Sequence, residues 1–159
     1  MENQISRNIS PDHGTYQLKW HKFLIYFALW ASALISLGTA FRYFTGMIYG
    51  SNANAVYSYY GGMKTLDMIM GIILVGLAVL SVYVRFQLSG FKTDAPKKLE
   101  YLYIANAAVP LLYLLAASSV TGISFFDLAS DSWGSLIGSI AMIFVNRTYY
   151  SKREALFVN

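Results

Sequence analysis

The sequence predicts an all-α, polytopic integral membrane protein whose four transmembrane helices form one bundle. Hydrophobic residues make up 56% of the 159-residue chain and charged residues only 13%, whereas soluble domains average about 45–50% and about 25%. The apolar residues are concentrated in four runs, and nearly all of the 12 lysines and arginines lie between or beyond these runs. Composition, run length and the distribution of basic residues therefore all favour a membrane protein.

The four runs have the length and polarity of membrane spans. The first, residues 23–41, carries no charge and would form about 28 Å of helix, close to a hydrocarbon core of roughly 30 Å. The second, residues 66–84, contains a single ionisable residue, Asp67. The third, residues 101–120, is uncharged, and the fourth, residues 128–145, is the weakest because Asp131 lies near its start. None has the polar stripe at helical period that a soluble bundle requires.

The basic residues predict the orientation of these spans. Only Arg42 and Lys64 fall on the side that faces away from the N-terminus; the other lysines and arginines lie in residues 1–22, 85–98 and 147–153. Loops rich in lysine and arginine remain cytoplasmic. We therefore expect both termini in the cytoplasm, a polar disordered tail over residues 1–18, one membrane domain over 19–150 and a short tail over 151–159.

Composition also limits the chemistry that we expect. The chain has no cysteine, and both histidines precede the first apolar run. Cysteine-type zinc sites, disulfides and iron–sulfur clusters are thereby excluded, and we find no nucleophile–base pair or set of metal ligands. We predict no catalytic residue, no metal site and no cofactor. The net charge of +4 is interpreted as a topology signal, not as a nucleic-acid footprint, because the basic residues form no aromatic-interleaved patch.

Charged residues cluster at the predicted outer ends of three spans: Arg42, Lys64, Asp67, Asp127 and Asp131. Charges at membrane depth are costly, so such a cluster is a candidate site. One interpretation is a salt-bridged rim in which Arg42 or Lys64 neutralises Asp67 and Asp131. The other is a mouth for a cation or a charged solute.

The third span contains a second polar feature. Asn106 and Pro110 are four residues apart and share one helix face. Because proline has no N–H, the carbonyl of Asn106 loses its usual donor. The pair predicts either a kink whose polar groups bond a serine or threonine of a neighbouring helix, or a broken-helix binding site of the kind that transporters use.

Small residues recur at four-residue spacing in two of the spans. They are Ala28, Ser32, Ser36 and Ala40 in the first, and Gly134 and Gly138 in the fourth. Such stripes let helices approach closely in lipid. They predict packing within the bundle or, alternatively, against a second copy or another membrane protein.

Three stretches carry a resemblance to a known group. They are Lys19–Trp30, Tyr83–Lys92, and Leu136–Ile140 followed by Asn146–Asn159. Together they resemble a group of small, uncharacterised four-span membrane proteins of anaerobic Gram-positive bacteria. The resemblance implies a bacterial plasma membrane and supplies no site residues. Members often carry a zinc ribbon ahead of the first span, which this cysteine-free chain cannot form.

Two functions follow as expectations. The first is a non-enzymatic membrane protein that acts through helix–helix contacts, as a scaffold, a regulatory subunit or a homo-oligomer. The alternative is a small-solute or ion transporter that uses the outer charged cluster and the kinked third span. The expected partners are the lipid bilayer and a second copy or another membrane protein.

Overall fold

The computed structural model describes residues 18–129 and 133–158, and every regular element in them is a helix. The elements are α1 (Lys19–Phe23), a π-helical turn (Leu24–Ala28), α2 (Leu29–Thr45), a 3₁₀ helix (Met47–Asn52), α3 (Ala53–Tyr59), α4 (Met63–Ser89), α5 (Ala95–Thr121), α6 (Phe125–Ala129), α7 (Trp133–Ser151) and a last 3₁₀ turn (Glu154–Leu156). Residues 1–17 of the tail predicted over 1–18, and the position of Asp131, lie outside the described residues.

Three runs of helix in the described residues are long and apolar enough to cross a membrane: Lys19–Tyr59, Met63–Ser89 and Ala95–Thr121. The first three predicted spans lie within these runs, which continue beyond them into aromatic and basic residues. The helix α7 is not among the three, because its last turns contain the polar sequence Asn146-Arg147-Thr148. Large apolar side chains on these helices, such as Ile35 and Ile72, point outward. This is the arrangement expected of a protein solvated by lipid.

The long helices pack in chain order. The helix α2 packs along α4, α4 along α5 and α5 along α7, whereas α2 and α7 make no comparable contact within the described residues. The ring closes at one end only, where Trp20 Nε1 donates a hydrogen bond to Asn146 Oδ1 at 2.9 Å. We call this the terminal end, because the first and last described residues lie there. The opposite end, which carries the segment Met47–Tyr59, is the tyrosine end.

The small residues of the first predicted span pack toward α4 and the core. Ser36 and Ala40 are buried, Ala28 packs against the core, and Ser32 Oγ lies 3.5 Å from Ser81 Oγ. Close approach also depends on Gly71 of α4, where a Cβ would come within 2.4 Å of the Phe44 ring. On α7, by contrast, Gly134 and Gly138 are exposed and a Cβ on either would meet nothing within 4 Å.

The predicted short tail over residues 151–159 packs in part against the helices. After α7 it turns back, and Leu156 and Phe157 are buried in the core. Their apolar side chains cover the terminal end, so these two residues belong to the packed core.

Candidate functional site

The tyrosine end contains a carboxylate that is closed off from its surroundings. Asp67 lies in the second turn of α4 and is 0% exposed. Its Oδ1 accepts hydrogen bonds from Tyr113 at 2.7 Å and from Tyr49 at 3.3 Å. Its Oδ2 accepts one from Tyr57 at 2.9 Å. All three donors are phenolic hydroxyls, and the two carboxyl oxygens of Asp67 are their common acceptors.

Local sequence brings two of these tyrosines to Asp67. The helix α2 ends at Gly46, whose φ of 73° is a left-handed conformation that glycine adopts without strain. The chain then folds back as residues Met47–Tyr59, which we call the tyrosine segment. This segment carries Tyr49 and Tyr57 over the end of α4. A side chain at position 46 would press on Ala53 and Tyr57, each about 3.0–3.1 Å from an added Cβ. Gly46 therefore sets the path of the tyrosine segment.

The predicted charged cluster does not close around Asp67 by ion pairing within the described residues. Arg42, Lys64 and Asp127 are all exposed, and within the described residues no ion pair links Arg42 or Lys64 to Asp67. The prediction that one of these cations neutralises Asp67 is therefore wrong for the described chain. The physical reason is that neutral hydroxyls reach the buried carboxylate, whereas the long cationic side chains extend toward solvent or headgroups.

A cavity of about 330 Å³ occupies the space between α2, α4, α5 and α7. Its walls carry no charged side chain, and its polar lining comes from Ser36, Thr39, Asn106 and Ser139. Within the described residues the hydroxyls of Ser36 and Thr39 make no hydrogen bond. The cavity exists because α2 and α7 separate away from the terminal end. Small-ligand pockets typically measure about 300–1,000 Å³.

Asn106 and Pro110 both line this cavity. The helix α5 continues through Pro110 from Ala95 to Thr121, so the span is not broken. Asn106 Nδ2 donates to the carbonyl of Leu102 at 2.8 Å, in its own helix and not in a neighbour. The predicted bond to a neighbouring serine or threonine is therefore not formed by this amide. Its Oδ1 and the proline-freed carbonyl of Asn106 remain as acceptors on the cavity side of the helix.

The terminal end contains a buried cluster that sequence reasoning missed. His21 is 3% exposed, stacks on Phe91 with a centroid distance of 4.9 Å, and places Nδ1 3.0 Å from Tyr150 Oη. Phe157 packs edge-on against the same imidazole. His21 Nε2 is buried without a hydrogen-bond partner in the described residues. The sequence does hold one indication of this cluster. The three stretches Lys19–Trp30, Tyr83–Lys92 and Asn146–Asn159, which carry the resemblance, each contribute a residue to it.

The cavity can hold a solute by hydrogen bonding. Asp67 anchors the segment Met47–Tyr59 through Tyr49 and Tyr57. In the described residues, no group of three or more histidine, cysteine, aspartate or glutamate side chains is placed to hold a metal ion. Comparison with known proteins leaves these sites to be judged from the structure: no family model, no curated protein and no solved structure matches the chain.

Proposed function

We propose that the chain is a four-span bacterial plasma-membrane protein, with both termini in the cytoplasm, that binds a small uncharged polar solute in the cavity between its helices. The observation that carries the proposal is the cavity itself. It lies between all four long helices and combines an apolar wall with a few hydrogen-bonding groups, as small-molecule sites do. The cavity favours the prediction of a small-solute transporter over the prediction of a protein that acts only through helix–helix contacts.

The lining argues for a neutral solute and against an ion. The polar atoms available in the cavity are hydroxyls of Ser36 and Thr39 and the amide oxygen of Asn106, all of them uncharged. A bare charge there would lose its hydration without gaining a counter-ion, which is costly at membrane depth. Asp67 supplies no counter-ion there, because it does not line the cavity. A solute with its own hydroxyl or amide groups would satisfy the lining.

The test is solute-driven swelling of proteoliposomes, followed by light scattering with glycerol, urea and acetamide as probes. We expect the full chain to accelerate swelling for at least one probe relative to empty liposomes. Asn106→Leu should reduce that rate about fivefold, the equivalent of one lost hydrogen bond of about 1 kcal/mol. Ser119→Ala is the matched control, because Ser119 also bonds a carbonyl one turn back in α5 but is exposed.

Rates that equal those of empty liposomes for all three probes would contradict the proposal. So would an Asn106→Leu variant that swells as fast as Ser119→Ala, because the solute would then not pass the cavity.

A second candidate function, contact with another helix, is favoured by α7. Gly134 and Gly138 lie on an exposed face of this helix, with open space where a Cβ would stand. Glycines four apart allow a second helix to approach closely. The small residues of α2, in contrast, already pack against α4. A second copy or a partner would therefore bind the exposed glycine face of α7. Failure of the swelling test would leave this candidate as the better one.

A further inference from the structure

We propose that the last turns of α7 form a binding site for the headgroup of an anionic phospholipid. A groove of about 550 Å³ runs along this part of the helix. Lys152 and Arg153 lie at one end of it, and the exposed side chains of Phe144 and Val145 line the rest. The groove therefore has one cationic end and one apolar end, arranged along the helix axis.

The two cations at the groove are not neutralised by the chain. In residues 18–129 and 133–158, neither Lys152 nor Arg153 forms an ion pair. The Arg153 Nε is buried and has no hydrogen-bond partner there. An unpaired cation at a membrane surface attracts anionic lipid. The positive charge at the groove is thus left without a counter-charge from the described chain.

Arg153 is also held in position. Its Nη1 donates to the Tyr149 carbonyl at 3.0 Å, and its guanidinium carbon lies 3.9 Å from the centroid of the Tyr149 ring. Its backbone N–H bonds the Tyr150 carbonyl at 2.9 Å. These bonds satisfy two carbonyls of the last helical turn, which would otherwise repel an anion. The guanidinium is therefore fixed at the groove without its charge being compensated.

The shape of the groove selects a lipid as the anion. Phe144 is 65% exposed and Val145 47%, and both precede the cations by two turns toward the apolar middle of α7. A lipid that places its phosphate between Lys152 and Arg153 would lay its acyl chains along these side chains. A free phosphate would make no use of the apolar part. The occupant is thus a phospholipid with net negative charge.

The test compares spin-labelled phosphatidylglycerol with spin-labelled phosphatidylcholine at the boundary of the full-length protein in phosphatidylcholine bilayers. We expect the protein to prefer phosphatidylglycerol, and Lys152→Glu to lower that preference about fivefold or more, because each surface cation near anionic lipid is worth about 1 kcal/mol. Lys152 is exposed and forms no ion pair in the described chain, so this change should not affect folding. Swelling rates are expected to stay unchanged, which separates this site from the cavity.

Arg147→Glu is the matched control. Arg147 lies on the same helix and is 72% exposed, but it faces Glu100 at 4.0 Å and does not line the groove. Its reversal should leave most of the preference intact. An equal loss in Arg147→Glu and Lys152→Glu would show a diffuse charge effect and overturn the proposal. Equal association of the two lipids with the unaltered protein would also overturn it.

Discussion

Replacing Asp67 with alanine is expected to destabilise the protein by about 3 kcal/mol, because three tyrosyl hydroxyls lose their acceptor together. A buried polar group left without a partner costs about 1–3 kcal/mol. Tyr49 and Tyr113 can partly compensate, since their oxygens lie 3.3 Å apart, whereas the hydroxyl of Tyr57 loses its bond to the carboxylate. The measurement is a denaturant titration in mixed micelles. Chymotryptic cleavage in Met47–Tyr59 should accelerate in parallel.

Two further variants test whether the lost hydrogen bonds cause the destabilisation. Asp67→Leu combined with phenylalanine at Tyr49, Tyr57 and Tyr113 removes donors and acceptor together, and we expect it to recover most of the lost stability. Asp127→Ala removes an exposed aspartate and should change little. If Asp67→Ala were as stable as the unaltered chain, the tyrosines would not depend on the carboxylate and our description of this end would be wrong.

Gly71→Ala is expected to destabilise the α2–α4 contact by about 1–3 kcal/mol, the usual cost of overpacking. An added Cβ would stand 2.4 Å from Phe44 Cε1 and 2.8 Å from two further ring atoms. The ring must therefore move or the helices must separate. Gly76→Ala is the matched control on the same helix, because a Cβ there meets nothing within 4 Å. That variant should be neutral or slightly stabilising, since alanine is the better helix former.

A double-mutant cycle identifies the cause. Phe44→Leu shortens the side chain that the new Cβ would meet, so Gly71→Ala should cost less in that background. Equal costs in both backgrounds, or equal effects of Gly71→Ala and Gly76→Ala, would contradict a close approach at this position. The same micelle titration supplies all four stabilities.

The helical architecture was predictable because apolar run length and period are local properties of the sequence. The apolar runs at residues 23–41, 66–84 and 101–120 each fall inside a helix that the structure finds long enough to cross a membrane. The fourth, at residues 128–145, is the weakest run in the sequence, and α7 is the helix that does not meet the same standard. The run is weak because Asp131 lies near its start, and the described part of α7 is also made more polar by the residues that begin at Asn146.

The partners of Asp67 could not be predicted in the same way. Sequence position suggested a cation nearby, but Tyr113 belongs to another helix and Tyr49 reaches the carboxylate only because Gly46 turns the chain back. A tertiary hydrogen bond depends on such turns and on helix order. His21 was missed for a similar reason: its partners Phe91 and Tyr150 lie far away along the chain. The cavity depends on the separation of α2 from α7, which no local pattern encodes.

The proposed topology requires α7 to cross the membrane as a fourth span, and labelling of single cysteines tests this directly. The natural sequence contains no cysteine, so one can be introduced at Asn54, Lys92, Asp127 or Lys152, which are all exposed. With an impermeant maleimide on intact cells, we predict labelling at positions 54 and 127, and at 92 and 152 only after permeabilisation. Labelling of position 152 together with 127 on intact cells would mean that α7 does not cross, and the four-span account would be wrong.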